Sequence, residues 1–317
     1  MQNVKITLKE KLTDNITRLK LSAVDGTSLA PWEPGAHIEL HLANGLLRQY
    51  SLCGASYNSD YEIAILRESN SRGGSSFIHD ELEAGHELQI SEPKNHFPFT
   101  LPAKDSTVLF LAAGIGITPI LPMAELCEEK GQPFEFSVCA TNASAMPYGD
   151  RIRQLPNTKF NFSNDTQSSR LSVKDYLKSK STHMPIYVCG PQRFIDDVIE
   201  SALALGWNDT LINREYFSID KSSLESDEDK AFDVEIKSTG QIIHVPADET
   251  ILTTLEDSGI FLPVACEEGV CGTCVTKVLE GDVEHRDVFL NEEERADGAL
   301  MTPCCSRAKG TKLVLDL

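Results

Sequence analysis

Four cysteines constrain the fold of the last 90 or so residues more than any other feature of the chain. The first three have the spacing C-x4-C-x2-C, and the fourth follows after 29 residues: Cys266, Cys271, Cys274 and Cys304. Thiolates are soft ligands, and this spacing is typical of a plant-type [2Fe–2S] cluster. Gly269 and Gly272 supply the backbone freedom that a loop needs to wrap around an inorganic core.

Three alternatives stay open at this site, and the simplest is that the cysteines are inert and buried. Four thiolates also bind zinc, although structural zinc sites usually consist of two C-x2-C pairs, and here only Cys271 and Cys274 form one. Cys305 directly follows Cys304, and only one of the two can point inward from a strand. The ferredoxin spacing favours Cys304 as the fourth ligand.

The charge and composition exclude several classes of partner and location. A net charge of −19 over 317 residues argues against nucleic acid and anionic membrane surfaces. Residues 231–317 carry 17 Asp and Glu against seven Lys and Arg, a net charge of −10. This acidity indicates either a well-solvated surface or a negative face that steers a basic protein partner. With no long apolar run and no signal peptide, we expect a cytosolic protein without a membrane span.

The first hundred residues read as β-structure. Short apolar or alternating runs separated by turn-forming residues predict a small antiparallel barrel. The predicted strands are Val4–Leu8, Ile16–Leu21, His37–His41, Leu46–Leu52 and Tyr61–Leu66.

From about Ser106 the pattern changes to strands that alternate with helices. The apolar run Val108–Ala112 leads into a glycine-rich turn and then a helical stretch that ends near Lys130. Strands are predicted at Phe134–Cys139 and Ile186–Cys189, and a helix at Gln192–Leu205. Such alternation predicts a doubly wound α/β domain with a parallel sheet.

The polar segment Ser218–Lys230 reads as a tether, and a hairpin is predicted beyond it, from Phe232–Ile236 and Gln241–Val245. We therefore predict a β-barrel domain at 1–102, an α/β domain at 103–221, a linker at 222–230 and a ferredoxin domain at 231–317.

Two motifs of the predicted barrel suit a flavin mononucleotide. Arginine binds phosphate and tyrosine stacks on planar rings, which makes Arg48-Gln-Tyr50-Ser51 a candidate, although alone it could be an ordinary strand. The second motif is Arg72-Gly73-Gly74-Ser75, ahead of a helix predicted at Phe77–Leu82. Glycines, hydroxyls and an arginine in this position favour a phosphate cradle over a flexible loop.

Two motifs of the α/β segment suit a pyridine nucleotide. Gly114-Ile-Gly116-Ile-Thr118-Pro119 resembles the dinucleotide fingerprint, with proline in place of the third glycine. Cys189-Gly190-Pro191 follows a later strand. Because ligands bind at the carboxyl ends of parallel strands, both motifs should line one crevice, although Cys189 could also be a core cysteine.

In this order of segments the chain resembles the phthalate dioxygenase reductase family, which supplies electrons to Rieske-type oxygenases. The resemblance covers nearly the whole chain and rests on the motifs above together with Pro93-Lys-Asn95-His-Phe97 and Glu215-Tyr-Phe217. It implies a multidomain fold that ends in an α+β ferredoxin domain of β-grasp type. It also implies FMN rather than FAD.

Specific roles follow from the resemblance. Arg48 and Ser75 would bind the FMN phosphate, Tyr50 would stack on the isoalloxazine and Ser51 would lie near its reactive nitrogen. Phe217 would be an aromatic residue beside the flavin. The glycine-rich turn would contact the nucleotide, and Cys189 would lie near the nicotinamide.

The implied function is a reductase that passes electrons from NADH through FMN and the cluster to a Rieske-type terminal oxygenase, one at a time. The segment after Cys139 has no Arg or Lys until Arg151, which favours NADH over NADPH. Hydride transfer requires no side-chain acid or base, and we predict none. Two alternatives are a non-enzymatic electron carrier and a reductase with a different acceptor, such as a haem monooxygenase. A monomer is expected.

Overall fold

The computed structural model describes residues 1–54, 60–69, 71–164, 171–220 and 229–317. These residues form two compact units, Met1–Glu215 and Tyr216–Leu317. Most of the predicted tether lies outside the described residues, so the proposed domain bounds stay predictions. In the described part of the chain, no helix is long and apolar enough to cross a bilayer.

The N-terminal part of the first unit is the predicted antiparallel barrel. Its strands run in the order β4-β3-β6-β1-β2-β5, and β7 pairs with β3. A bridge between Leu52 and Ile63 joins the two edge strands and closes the sheet. The elements are β1 Gln2–Lys11, β2 Ile16–Ala23, β3 Ala36–His41, β4 Leu47–Ser51, β5 Tyr61–Leu66, α1 Gly74–Asp80, β6 Glu87–Ile90 and β7 Lys94–Asn95. Helix α1 begins three residues earlier than predicted.

The rest of the first unit is the predicted α/β domain. All its strand pairs are parallel, in the order β10-β9-β8-β11-β12. The elements are β8 Val108–Ala113, α2 Ile117–Lys130, β9 Phe134–Ala140, α3 Gly149–Arg153, β10 Thr158–Phe162, α4 Val173–Lys178, β11 Ile186–Cys189, α5 Gln192–Ala204 and β12 Ile212–Glu215. Short 3-10 turns occupy Gly114–Gly116, Ala143–Ala145 and Asp209–Leu211. Pro119 lies in the first turn of α2, where a proline needs no hydrogen-bond acceptor.

The second unit is a mixed sheet in the order β14-β13-β19-β15-β17, with β16 and β18 paired separately. The predicted hairpin is present, since β13 and β14 pair antiparallel. The elements are β13 Phe232–Ile236, β14 Ile242–Val245, α6 Ile251–Asp257, β15 Thr276–Glu280, β16 Val283–Glu284, α7 Glu292–Asp297, β17 Leu300–Met301, β18 Arg307–Ala308 and β19 Lys312–Leu315. Helix α6 packs on this sheet through Ile251 and Leu255, as expected for an α+β ferredoxin domain.

Candidate functional site: a cysteine loop and a strand-end crevice

The structure brings the four predicted cluster cysteines together. Three lie in the loop between α6 and β15, and the fourth lies between β17 and β18. Hydrogen bonds from Cys271 and then Cys304 lower the pKa of the Cys266 thiol, and a hydrogen bond from Cys304 lowers that of Cys274. The four sulfur atoms are therefore neighbours, although the fourth is distant from the others in sequence.

Two glycines let the cysteine loop close around this sulfur cluster. Gly269 and Gly272 both have a φ of 72°, in the left-handed region that favours glycine. A Cβ atom on Gly272 would overlap the ring of Phe289, and one on Gly269 would lie 2.5 Å from the Cys305 sulfur. The loop therefore has no room for side chains at these positions.

Cys304 and Cys305 differ in their surroundings, although both are buried. Hydrogen bonds with Cys266, Cys274 and the adjacent Cys305 raise the pKa of the Cys304 thiol. The Cys305 sulfur lies 3.2 Å from Thr302 Oγ1, beneath Gly269. This arrangement supports Cys304 as the ligand and Cys305 as a packed thiol.

The donor set suits a two-iron cluster. A plant-type [2Fe–2S] cluster takes four cysteine thiolates and divides them between its two irons. Only Cys271 and Cys274 form a C-x2-C pair, whereas structural zinc sites usually have two such pairs.

The two predicted flavin motifs of the barrel lie side by side. Arg48 lies on β4, and its Nη2 donates to the Arg72 carbonyl oxygen over 3.3 Å. A Cβ atom on Gly74 would overlap the Arg48 side chain, so the arginine lies directly against the start of α1. Tyr50, two residues along the same strand, packs on the barrel core, and burial raises the pKa of its hydroxyl. Ser51 ends β4 and is buried.

The Ser71 hydroxyl, which organises the loop ahead of α1, was not predicted. Ser71 Oγ accepts hydrogen bonds from the backbone N–H groups of Gly73 (3.2 Å) and Ser76 (3.3 Å). The Ser75 hydroxyl donates to it over 3.1 Å and accepts from the Glu68 N–H over 3.2 Å. Ser71 therefore fixes the conformation of this loop through hydrogen bonds inside it. A serine close before two glycines was the signal in the sequence that could have indicated this role.

The two nucleotide motifs meet at the carboxyl ends of adjacent strands, as predicted from the parallel sheet. Strand β11 pairs with β8 so that Cys189 lies opposite Ala112. A Cβ atom on Gly116 would overlap the backbone of Cys189, and one on Gly190 would lie 2.9 Å from the Ala113 Cβ. Two glycines therefore let the two strand ends touch. Pro191 immediately follows as the N-cap of α5.

Two of the predicted nucleotide ligands also have structural roles. Thr118 is buried, and its hydroxyl donates to the Ile115 carbonyl oxygen over 3.0 Å, within the turn. Cys189 is fully buried in the core, and burial raises the pKa of its thiol well above the usual range. Gly114 has a φ of 56°, and a Cβ atom there would meet nothing within 4 Å beyond its own chain neighbours, which leaves its backbone open.

Known proteins match this chain over its full length. Residues 234–309 match the 2Fe-2S iron-sulfur cluster binding domain. The chain is 40% identical to the vanillate O-demethylase oxidoreductase of Pseudomonas sp. (strain HR199 / DSM 7063), over 100% of both chains. The crystal structure of phthalate dioxygenase reductase matches 99% of this chain and 97% of that one, with 31% identity and a TM-score of 0.73.

The chain belongs to the phthalate dioxygenase reductase family. A second structural match, an intact type IV self-sufficient cytochrome P450 monooxygenase, has a TM-score of 0.86 and 33% identity. It covers 100% of this chain, which spans 41% of the length of that monooxygenase.

Membership of the phthalate dioxygenase reductase family identifies the chain as a pyridine-nucleotide-dependent flavin iron–sulfur oxidoreductase. The cysteine loop would hold the cluster, and the residues of the barrel and crevice would hold the flavin and nucleotide. The individual ligand assignments stay predictions. Phe217 lies in the second compact unit with its side chain partly exposed, and its place beside the flavin is likewise a prediction.

Proposed function

We propose that this protein is the reductase component of a two-component Rieske-type oxygenase and takes its electrons from NADH through FMN and a [2Fe–2S] cluster. The observation that carries the proposal is the joint presence of the nucleotide crevice and the cysteine loop in one chain, which is similar over its full length to a vanillate O-demethylase oxidoreductase. When bound, FMN would supply the conversion between the two-electron chemistry of NADH and the one-electron chemistry of the cluster. A cytosolic monomer is part of the same proposal.

In this scheme the chain's own residues bind the flavin and the nucleotide and orient them. Arg48 and Ser75, beside Gly74 and Ser71, would hold the single phosphate of FMN. The touching strand ends at Gly116 and Gly190 would hold the nucleotide against the flavin. Neither hydride transfer nor electron transfer needs a proton from a side chain, so no catalytic acid or base is assigned.

The choice of NADH rests on the residues after β9. The Asn142 side chain there accepts a hydrogen bond from the Ala145 N–H over 2.9 Å and caps a 3-10 turn. Arg151, the next cation in sequence, is held by Glu125 through two hydrogen bonds of 2.9 and 2.7 Å. An arginine committed to a carboxylate is not available for a 2′-phosphate.

Anaerobic spectroscopy of the loaded protein tests the function. Flavin released from the protein should be FMN, and NADH should bleach flavin and cluster bands far faster than NADPH. The reduced protein should then reduce the oxygenase component of a vanillate O-demethylase. A protein that binds no flavin, or that NADH does not reduce, would refute the enzyme proposal.

A haem acceptor is the second candidate, favoured by the similarity to the self-sufficient P450. The same reduced protein mixed with a cytochrome P450 distinguishes the two. Preferential reduction of the haem protein would replace the Rieske assignment while leaving the NADH and flavin steps intact.

We propose further that the acceptor docks around Phe261. This side chain is 78% exposed, and its neighbour Leu262 packs on the core formed by Leu252 and the buried cysteines. Residues 246–276 contain six Asp and Glu and no Lys or Arg. An exposed aromatic within acidic surroundings suits an oxygenase with an apolar pocket rimmed by basic residues.

Replacement of Phe261 by alanine tests this docking surface. We expect about 30-fold weaker binding to the oxygenase, because aromatic anchors dominate interfaces. The NADH-driven reduction of flavin and cluster should not change. Ile242→Ala, at a 59% exposed position on the edge strand β14, is the matched control. Equal binding by both variants would place the docking surface elsewhere.

A further inference from the structure

Arg151 joins the nucleotide domain to the barrel. From α3 its Nη1 donates to the Cys53 carbonyl oxygen over 2.8 Å and lies 3.4 Å from Glu62 Oε1, both in the barrel. Its Nε and Nη2 bind both carboxylate oxygens of Glu125, on α2. All three nitrogens of one guanidinium are therefore used, in the fork geometry that makes arginine binding directional.

Arg151 and its partners Cys53, Glu62 and Glu125 form a clasp, and two of these partners lie on chain segments that carry the predicted ligand sites. Cys53 is two residues beyond Ser51, on the chain that leaves β4 and closes the barrel. Glu125 lies on α2, the helix that starts directly after Gly116. One side chain thus connects the strand end of the flavin motif to the helix of the nucleotide turn.

Neighbouring groups hold the clasp in one geometry. The Tyr148 hydroxyl lies 3.0 Å from the Cys53 sulfur, and the Arg151 guanidinium lies 4.9 Å from the centre of the Tyr148 ring. Tyr148 has a φ of 59°, a conformation that non-glycine residues keep only when their surroundings enforce it. Glu62 is buried and also lies 3.8 Å from Lys20.

We propose that Arg151 is a positioning residue for hydride transfer, which sets the separation between the flavin on the barrel and the nicotinamide in the crevice. The inference rests on the proposed function. Hydride transfer falls steeply with donor–acceptor misplacement, and a shift of about 1 Å can lower a rate about 100-fold. A buried, multiply bonded arginine between the two sites restricts such shifts.

Stopped-flow reduction of the FMN-loaded, full-length protein by NADH tests the proposal. We expect Arg151→Ala to lower the limiting rate of flavin reduction about 100-fold, with flavin content, cluster spectrum and the Kd of NADH close to wild type. Arg151→Lys should recover part of the rate, because an ammonium can pair with one carboxylate but cannot fork onto two partners. Arg153→Ala is the matched control. This arginine of the same helix is half exposed and pairs with Asp150.

A second variant covers the case in which Arg151→Ala does not fold. Tyr148→Phe removes only the hydroxyl that contacts the Cys53 sulfur, and we expect a smaller fall in the same limiting rate. The core that spans barrel and nucleotide domain is kept, including the Phe97 and Tyr187 rings 5.7 Å apart.

Two results would overturn the positioning role of Arg151, and a third would instead refute the proposed function. A limiting rate in folded Arg151→Lys and Tyr148→Phe equal to that of Arg153→Ala would overturn the positioning role. So would a loss confined to NADPH, since that result would assign Arg151 to a 2′-phosphate. If the wild-type protein itself is not reduced by NADH, the proposed function fails before the clasp is tested.

Discussion

The cysteine loop and the crevice at the ends of β8 and β11 both depend on glycines at positions that cannot hold a side chain. The two sites differ in which atoms occupy the space beside the glycine. At Gly272 the space is taken by the Phe289 ring, from the same unit and a nearby stretch of chain. At Gly116 it is taken by the backbone of Cys189, from a distant strand of the sheet. One site is largely local in sequence, whereas the other exists only once the sheet has formed.

This difference explains why the cysteine site is easier to recognise from the sequence than the crevice. Three of the four cluster thiolates come from one nine-residue motif, so their spacing alone indicates the chemistry. The nucleotide motifs are weak singly, and parallel pairing of β8 with β11 brings them together. A mutation in the cysteine loop should therefore affect cluster binding as a whole. A mutation in the crevice should act by changing the backbone contacts between the strand ends.

The largest effect is expected for Cys304→Ser. Loss of one thiolate should abolish the visible spectrum of the cluster, while NADH still reduces the flavin, because the crevice is a separate site. Electron transfer to the acceptor should be lost. Absorbance and iron content measure the first effect, and stopped-flow measures the second.

Cys305→Ser is the matched control for that variant, since it alters the adjacent buried thiol. It should keep the cluster, because the Cys305 sulfur faces Thr302. If Cys305→Ser loses the cluster and Cys304→Ser keeps it, the assignment of the fourth ligand is wrong.

Gly116→Ala is expected to have the next largest effect, and it tests the crevice. The added Cβ would overlap the Cys189 backbone, so the strand ends must separate. We expect NADH-dependent flavin reduction to fall about 100-fold, with the cluster spectrum unchanged. Gly131→Ala, at the other end of α2 with a φ of 65° and open space around it, is the control. Its left-handed strain should cost about 1 kcal/mol of stability without a loss of activity. Equal activity in the two variants would contradict the contact.

The same difference sets how much could be predicted from the sequence. The strands and helices that were predicted followed from hydrophobic periodicity, because each of them buries one face or lies wholly in the core. Shorter elements, such as α3, α4 and α7, were not predicted. Arg151 was predictable only as a cation after β9. Its pairing with Glu125 and the Cys53 carbonyl depends on how the barrel and the sheet meet, which no local pattern encodes. Ser71 was missed for a similar reason, since its partners are backbone N–H groups of a loop.

The smallest effect expected is a pH dependence that originates in the crevice. Glu215 ends β12 opposite Cys189, and burial raises the pKa of its carboxyl from 4.5 to about 8. Its Oε2 is buried, and no hydrogen-bond partner for it lies among the residues that the structure describes. Because the folded state then binds a proton more tightly than the unfolded state, this group stabilises the fold most below pH 4.5. That contribution is lost as the pH rises toward 8.

Denaturant unfolding of the full chain at pH 5 to 9 measures this slope. Glu215 should lower the free energy of unfolding by at most about 1.4 kcal/mol per pH unit up to pH 8, and the slope should level off above pH 8. Glu215→Gln should flatten that part of the profile, whereas Glu128→Gln, at an exposed position on α2, should leave it unchanged. A slope that survives Glu215→Gln unchanged would mean that other groups cause it and that the crevice accommodates the ionised Glu215 carboxylate.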